Sequence, residues 1–451
     1  MARLARFAEP ADLADPRLKR LILTLALPSV AGLLINALYH VVNAAFVGGL
    51  GTPAVAAISL TLPVFSLVAA LGEGIGVGVA ANVGRLLGEG RSGQAGAIAS
   101  TGLILATVIG LLVTGALLLA QGPVITLLGG GGETEPLARI YISILAFTCV
   151  LTLIQIVCDF IAIAEGNSRF SMYTLLGSFA VNIALDPLLI YTLEMGIAGA
   201  AWATILAKGV ALGAYAVYFA RRWGVVQVHT RLIRWRRRVT GPILAIGMPT
   251  TAASILTAVS FAILYHMAGR YGGESAVAAI GIAARVVLLG YFPIIGFCLG
   301  AQAVISYSHG AGDYRRLRDG VRFMLLVTTA FAAVFSAVML LWPQAVVSLF
   351  SDDAGVQAQG ASALVAFHLF FLLAGLECVL LVLLQSLGKG RLSAVVALAQ
   401  RGYLLLPLLL ALPLVWGMQG VIAGPAVAAG LAGLIVVPMF LWQMRTLKAQ
   451  G

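Results

Sequence analysis

The chain has 451 residues, of which 61% are hydrophobic and only 10% are charged, and its mean hydropathy is +1.03. Soluble proteins carry about 25% charged residues, so this composition excludes a soluble globular fold. The formal net charge of +11 is high. In a membrane protein such an excess of Lys and Arg is typical of cytoplasmic loops, and we therefore expect no nucleic-acid partner.

Apolar stretches long enough to cross a bilayer follow one another along the whole chain. Residues 1–18 are charged and mixed and lack a signal-peptide pattern, so the first stretch is expected to insert by itself. We therefore predict an all-α membrane protein with twelve transmembrane helices. The predicted spans are 20–46, 54–86, 94–120, 136–164, 170–192, 196–220, 241–268, 276–308, 320–342, 358–387, 392–415 and 418–444.

The distribution of basic residues predicts the orientation of these spans. All but five of the 28 Lys and Arg residues lie at the termini or in the even-numbered connections, including the basic cluster at 231–238. The positive-inside rule then places both termini in the cytoplasm. We expect a multi-pass protein of the cell inner (cytoplasmic) membrane. The five exceptions are Arg139, Lys208, Arg270, Arg285 and Arg401.

The two halves of the chain repeat one another. The pentapeptide 54–58 recurs identically at 276–280, and Gly166 matches Gly388 at the same offset of 222. Each half holds six spans, an even number, so the repeats should be parallel and related by an axis along the membrane normal. We predict an amino-terminal six-helix lobe at 1–222, a basic cytoplasmic linker at 223–240 and a carboxyl-terminal six-helix lobe at 241–451.

An acidic residue lies at membrane depth in the fifth span. Asp186 follows Asn182 by four residues, which places both side chains on one helix face, and Pro187 frees a backbone carbonyl beside them. An Asp at the bilayer centre costs about 2.5–3.5 kcal/mol on insertion scales, and such residues usually face a functional cavity. The alternative is a structural hydrogen bond from Asp186 to a neighbouring helix end.

Further polar residues lie within other spans. Asn43 and Thr204 are predicted near the same level as Asp186 and would complete a polar pocket with it. In the carboxyl-terminal half, Glu377 lies in span ten and Arg401 in span eleven. A buried ion pair between them and a role in ion coupling are both compatible with this placement.

Motifs for nucleotide binding or hydrolytic catalysis are absent from the sequence. It contains no P-loop, no zinc-binding HExxH and no GxSxG, and its four cysteines are dispersed without metal-ligand spacing. We therefore expect neither an enzyme nor an ATP-driven pump, and no bound cofactor. Transport driven by an ion gradient requires only a titratable or ion-ligating group in a cavity.

The order of several short motifs resembles that of the multidrug and toxic compound extrusion (MATE) transporters, over nearly the whole chain. The motifs are the Leu-Pro28 sequence, the segment 43–51, the turn 164–167, the segment 182–187, the segment 196–204, the segments 300–302 and 307–312, and the turn 385–390.

This resemblance implies secondary active antiport, in which amphipathic and usually cationic drugs or metabolites leave in exchange for protons or sodium by alternating access. It also implies a V-shaped pair of six-helix bundles. In one branch of the family a Pro bends helix 1, and the amino-terminal lobe holds two Asp residues with Asn and Thr. Here the matching residues are Pro28, Asn182, Asp186 and Thr204.

Asn43 departs from that pattern, because it stands where the first Asp is expected. An Asn can ligate sodium through its amide oxygen but cannot titrate. Asp186, Asn182 and Asn43 therefore form the candidate sodium ligands, and the coupling ion, proton or sodium, stays open. In another branch of the family, acidic residues on helices 7 and 10 of the carboxyl-terminal lobe are functionally important. Span seven of this chain contains no acidic residue, whereas Glu377 lies near the helix-10 position.

Two other functions are open to a protein with many membrane spans. A flippase for lipid-linked precursors of the same superfamily would carry several intramembrane Arg residues, of which this chain has few. A membrane enzyme or sensor would need a cluster of acids or histidines at one interface, which the sequence does not suggest. We expect partners to be small amphipathic molecules and the lipid bilayer, and the protein to be a monomer.

Overall fold

The computed structural model describes residues 10–128, 132, 134–233 and 236–450, and for residues 40, 41, 44, 45 and 230 it describes the backbone alone. Arg234 and Trp235, in the predicted basic linker, lie outside the described residues. All the regular structure within these ranges is helical.

The amino-terminal half contains six membrane-length helices. The fourth is preceded by a short helix, Thr134–Leu145, which leads directly into it, and the fifth ends in a π-helical turn, Leu188–Thr192. The six helices are α1 (Leu18–Gly48), α2 (Thr52–Gly88), α3 (Ser92–Leu119), α4 (Phe147–Ala164), α5 (Ser168–Pro187) and α6 (Gly196–Ala220).

The carboxyl-terminal half is divided by backbone breaks at two glycines. The helical run Arg237–Gly310 is interrupted at Gly273 (φ 72°), and the run Leu405–Ala449 is interrupted at Gly417 (φ 54°). The half therefore contains α7 (237–272), α8 (274–310), α9 (Tyr314–Leu341), α10 (Ala354–His368 with Leu372–Ser386), α11 (390–416, with a π-helical turn at Ala399–Tyr403) and α12 (418–449).

The number of crossings agrees with the sequence. Among the described residues nine helices are long and apolar enough to cross a membrane, or ten when the two segments of α10, bent by 44°, count as one span. The breaks at Gly273 and Gly417 each divide one of these into two, which gives twelve crossings. The predicted all-α fold with twelve transmembrane helices in two repeated halves is confirmed.

The repeat is visible in the backbone as well as in the sequence. Four glycines with positive φ in the first half recur at an offset of 221 or 222 in the second half, where φ is again positive at each. Positive φ favours Gly because other residues carry a Cβ that clashes there. The pairs are Gly51 and Gly273, Gly90 and Gly312, Gly166 and Gly388, and Gly196 and Gly417.

The two halves meet at one end of the bundle, which we call the linker end because it carries the segment 221–240. There α2 packs on α8 so closely that a Cβ atom on Gly310 would lie 1.9 Å from the Arg85 carbonyl oxygen. A Cβ on Gly88 would lie 2.1 Å from the Tyr307 carbonyl oxygen, and one on Gly300 would lie 2.5 Å from the Cα of Ala26 in α1. These contacts all fall in the helix halves nearest the linker end, so the lobes are closed there.

The segment leading out of α6 is attached to this end by Glu165, in the turn between α4 and α5. Glu165 is 1% exposed; it accepts a hydrogen bond of 2.9 Å from the backbone N–H of Val226 and one of 2.5 Å from the hydroxyl of Tyr218. Burial raises the pKa of Glu165 from 4.5 to about 7, although both hydrogen bonds favour the charged form.

The pKa of Glu165 predicts how attachment of this segment depends on pH. A carboxyl whose pKa is raised by docking favours docking in its protonated form. The contribution of Glu165 is therefore fully present below about pH 4.5 and is lost as the pH rises through about 7. We expect hydrogen exchange at residues 224–228, corrected for intrinsic rates, to be slower at acidic than at alkaline pH. Glu165→Gln should remove that difference, and an unchanged pH profile in the variant would contradict it.

Candidate functional site

A carboxylate and an amide are buried near the end of α5. Asp186 is 0% exposed and Asn182 is 1% exposed, and they occupy successive turns of one helix face. Within the part of the chain that the structure describes, neither carboxylate oxygen of Asp186 and neither amide atom of Asn182 has a hydrogen-bond partner. An unpaired buried charge is strongly destabilising, so this pair is suited to holding a proton or a small cation.

Two tyrosines on other helices lie near Asp186, and a threonine of α6 contacts one of them. Tyr39 of α1 and Tyr141 of the short helix before α4 both lie within the electrostatic field of the Asp186 carboxylate. The hydroxyl of Tyr39 is in hydrogen-bond contact with the hydroxyl of Thr204 in α6. Its ring stacks on Phe179 with the centroids 4.3 Å apart. These residues come from four separate helices, and Asp186 is the only acid among the described residues of this group.

Asn43 occupies a less direct position than the sequence predicted. It lies one turn beyond Tyr39 on α1 and is half-buried. Within the described residues no hydrogen bond joins it to Asp186, Asn182 or Thr204. Its place among the ion ligands stays a prediction. The structure places Asp186 and Asn182 on one buried helix face and Thr204 in contact with Tyr39.

The face of α5 that carries Asp186 is polar along its whole length. Every described residue of α5 that is buried has a polar side chain, and the helix then passes into the π-helical turn Leu188–Thr192. Helices with π turns often loosen at functional sites. The hydroxyl of Tyr191 in this turn donates to the carbonyl oxygen of Phe46, which fastens the far end of α1. The buried set is Ser168, Ser171, Thr174, Ser178, Asn182 and Asp186.

Pro28 lies inside α1, which stays helical on both sides of it. Because proline has no backbone N–H, the carbonyl of Thr24 loses its helical donor, and this weakens α1 at that point. The hydroxyl of the neighbouring Ser29 donates a hydrogen bond of 3.1 Å to the next carbonyl oxygen, that of Leu25. A proline at this position is suited to a helix that bends there. That α1 bends at Pro28 stays a prediction.

In the carboxyl-terminal half Glu377 and Arg401 border one cavity without touching. Glu377 is 7% exposed, and no N–O distance between it and Arg401 is 4.0 Å or less, so these two described residues form no ion pair here. Arg401 lies in the π-helical turn of α11, and its carbonyl accepts a hydrogen bond of 2.8 Å from Ser260. The buried ion pair that the sequence allowed is therefore not formed in this structure.

Within the described residues no three His, Cys, Asp or Glu side chains are grouped so that they could hold a metal ion. The oxygens of Asp186 and Asn182 are of the type that binds a hard cation such as sodium. Two such oxygens suit an ion that the protein transports, and not one that it holds permanently.

Comparison with known proteins decides the family. The sequence model of the MatE family matches residues 28–188 and again residues 249–409, once in each half and at the offset of the internal repeat. The chain belongs to the MatE family. This is a family of transporters and not of enzymes, as the sequence predicted, and the chain is a multi-pass membrane protein.

Individual members of the MatE family are similar to this chain over nearly its whole length. It is 29% identical over 411 residues to the multidrug export protein MepA of Staphylococcus aureus strain NCTC 8325, covering 91% of this chain and 90% of that protein. Its fold matches an outward-facing multidrug resistance MATE transporter of the MOP superfamily with a TM-score of 0.89, 25% identity and 97% and 98% coverage. A MATE structure in a bent conformation matches with a TM-score of 0.90, 25% identity and 99% and 98% coverage.

The sequence of this MatE-family chain does not by itself identify the two tyrosines near Asp186. Tyr39 precedes Asn43 by one helical turn, and this spacing was a usable signal, because both residues then face the same way. Tyr141 offered no such signal. A tyrosine in an apolar span is equally typical of the membrane interface, where its ring and hydroxyl suit the headgroup region.

Proposed function

We propose that this protein is an ion-coupled antiporter that exports amphipathic, usually cationic compounds from the cell across the inner membrane. The observation that carries this proposal is the unpartnered Asp186 carboxylate beside Asn182, in a chain of a family whose members are ion-coupled transporters. The relatives named for multidrug export support the exporter over the lipid-precursor flippase.

The coupling site in this proposal consists of Asp186, Asn182 and Thr204. A carboxylate enclosed by protein and deprived of water favours its neutral form, whereas a bound sodium ion favours the charged form. Exchange between the two faces of the membrane then alternately loads and empties the same group. Because Asn43 cannot titrate, Asp186 alone carries the charge that changes.

The closed linker end indicates which side of the membrane the Asp186 site faces in this structure. Both termini and the basic linker belong, by the positive-inside rule, to the cytoplasmic face. Closure of the lobes at that end leaves the opposite, outer end as the side on which they separate. This arrangement agrees with the likeness to an outward-facing transporter.

Everted membrane vesicles test the proposed function directly. We expect them to accumulate ethidium, a fluorescent organic cation, when sodium or protons are more concentrated inside the vesicle than outside. The sodium gradient and the proton gradient are imposed in separate experiments. Vesicles from cells without the protein provide the baseline. Accumulation that depends on neither gradient would overturn ion coupling, and transport of a lipid-linked sugar in place of ethidium would favour the flippase.

A further inference from the structure

A groove of about 790 Å³ lies between the beginning of α1 and the beginning of α9, far along the chain from the residues around Asp186. One wall is formed by the residues that lead into α1, and the other wall is formed by α9 between residues 319 and 326. The two halves of the chain therefore each supply one wall. The volume is within the range of sites that bind small molecules or lipid headgroups.

The walls of this groove are strongly basic. Among the described residues that line it, four are cationic and one, Asp319, is acidic, which leaves an excess of positive charge. Asp15, which does not line the groove, pairs with Arg17 at 3.0 Å and balances one of the four cations. The remaining excess attracts an anion and repels an ammonium group. The four cations are Arg17, Lys19, Arg20 and Arg322.

Three of these cations are not held by a close acid. Arg322 lies 3.7 Å from the nearest carboxylate oxygen of Asp319, which is beyond hydrogen-bonding distance, and both side chains are more than half exposed. Among the described residues no carboxylate oxygen lies within 4.0 Å of Lys19 or Arg20. Their side-chain N–H groups are therefore available to a ligand in the groove.

The groove lies where both helices change from charged to apolar sequence. After Arg20, α1 contains no Asp, Glu, Lys or Arg up to its end, and α9 contains none after Arg322. Phe323 and Leu326 line the groove on the apolar side of this boundary, and Leu326 is 67% exposed. Basic residues at such a boundary lie at the level of the lipid headgroups, whereas an exposed leucine beyond them faces the acyl chains.

Contacts between the two walls hold the cations in place. Arg316 of α9 donates hydrogen bonds of 2.6 and 2.8 Å to the carbonyl oxygens of Leu13 and Ala14, in the segment that leads into α1. The Lys19 ammonium lies 5.9 Å from the centre of the Phe323 ring, which is within the range of a cation–π contact. The groove is therefore formed before a ligand arrives, and pre-organisation of this kind lowers the cost of binding.

The combination of cations and an apolar wall discriminates among ligands. A phosphate diester accepts hydrogen bonds from guanidinium and ammonium groups, and the planar fork of Arg matches its oxygens. A zwitterionic phospholipid adds a cationic group that the excess positive charge repels. A phospholipid whose headgroup alcohol is uncharged brings the phosphate alone, and its acyl chains suit the wall formed by Leu326.

We infer that the groove between α1 and α9 is a binding site for an anionic phospholipid, whose phosphate is held by Lys19, Arg20 and Arg322. The acyl chains lie along Phe323 and Leu326. This inference goes beyond the proposed function, because the lipid is a bound ligand and not a transported compound. Since α1 and α9 belong to different halves of the chain, the bound lipid links the two halves at the closed linker end.

Native mass spectrometry of the purified full-length protein tests the inference, because it measures the affinity of each bound lipid. Phosphatidylglycerol and phosphatidylcholine with identical acyl chains share the phosphate and differ in the charge of the headgroup alcohol. We expect the first phosphatidylglycerol to bind about tenfold more tightly than the first phosphatidylcholine. Equal affinities, or tighter binding of phosphatidylcholine, would overturn the inference.

Variants locate the site. Arg20→Gln and Arg322→Gln, one on each wall, should each lower the preference for phosphatidylglycerol about fivefold. Arg169→Gln and Arg391→Gln are the matched controls, because these exposed residues stand at equivalent positions of the repeat and do not line the groove. An effect confined to one wall, or equal losses in the controls, would contradict a site shared by α1 and α9.

Two further measurements distinguish a lipid from a free anion. Leu326→Ser should weaken binding of both lipids and leave the preference between them unchanged, since it removes only apolar surface. Unchanged affinities in this variant would refute the assigned position of the acyl chains. Inorganic phosphate at the concentration of the lipid should not displace phosphatidylglycerol. Displacement would show a site for soluble phosphate and would overturn the lipid assignment.

Discussion

Asp186→Asn is expected to reduce gradient-driven ethidium transport to the level of vesicles without the protein, while the amount of folded protein stays normal. The substitution keeps the shape of the side chain and removes its only titratable group. Because both Asp186 oxygens lack hydrogen-bond partners among the described residues, no native contact is lost. Removing an unpaired buried charge should leave the thermal stability unchanged or slightly raised.

This combination of results distinguishes a functional acid from a structural one. A structural Asp186, hydrogen-bonded to a helix end, would lose stability on substitution, since the breaking of a buried hydrogen bond to a charged group is costly. Asp319→Asn is the matched control, because that acid is 52% exposed on α9 and, among the described residues, pairs only with Arg322 at 3.7 Å. Transport retained by Asp186→Asn would refute the coupling role, as would a large fall in its melting temperature.

Gly310→Val is expected to abolish transport for a different reason, by preventing the lobes from closing at the linker end. The Cβ of any larger residue at position 310 would lie 1.9 Å from the Arg85 carbonyl oxygen, and backbone cannot move aside as a side chain can. Overpacking of this kind costs about 1–3 kcal/mol. Every 1.4 kcal/mol shifts a conformational equilibrium about tenfold, so the closed state should lose most of its population.

Spin labels at two exposed positions of the linker end measure this effect. Labels on Gly93→Cys and Arg315→Cys, one in each lobe, should move apart when Gly310→Val is added. Gly209→Val provides the control, because a Cβ at position 209 meets no atom within 4 Å. An unchanged label distance with lost transport would refute the proposed cause, and full transport would refute the requirement for close contact.

The sequence by itself determined the scaffold of this protein. Hydropathy marked the twelve crossings because a span must bury its backbone polar groups in its own helix, so each crossing is a local property. The two-repeat plan was equally accessible, since glycines such as Gly166 and Gly388 recur at one offset, and both have a positive φ in the structure. The pairing of Asn182 with Asp186 also followed from local geometry, as residues four apart share a helix face.

Only the tertiary structure decided which residues from different helices meet. Tyr39 and Tyr141 lie near Asp186 on two other helices, and no spacing along the chain encodes that proximity. Glu377 and Arg401 were correctly placed within their spans, but whether they pair depends on the packing of α10 against α11. They stand apart beside an aromatic cavity. Helix periodicity fixes which face of a helix is polar, whereas the rotation and separation of neighbouring helices fix what that face contacts.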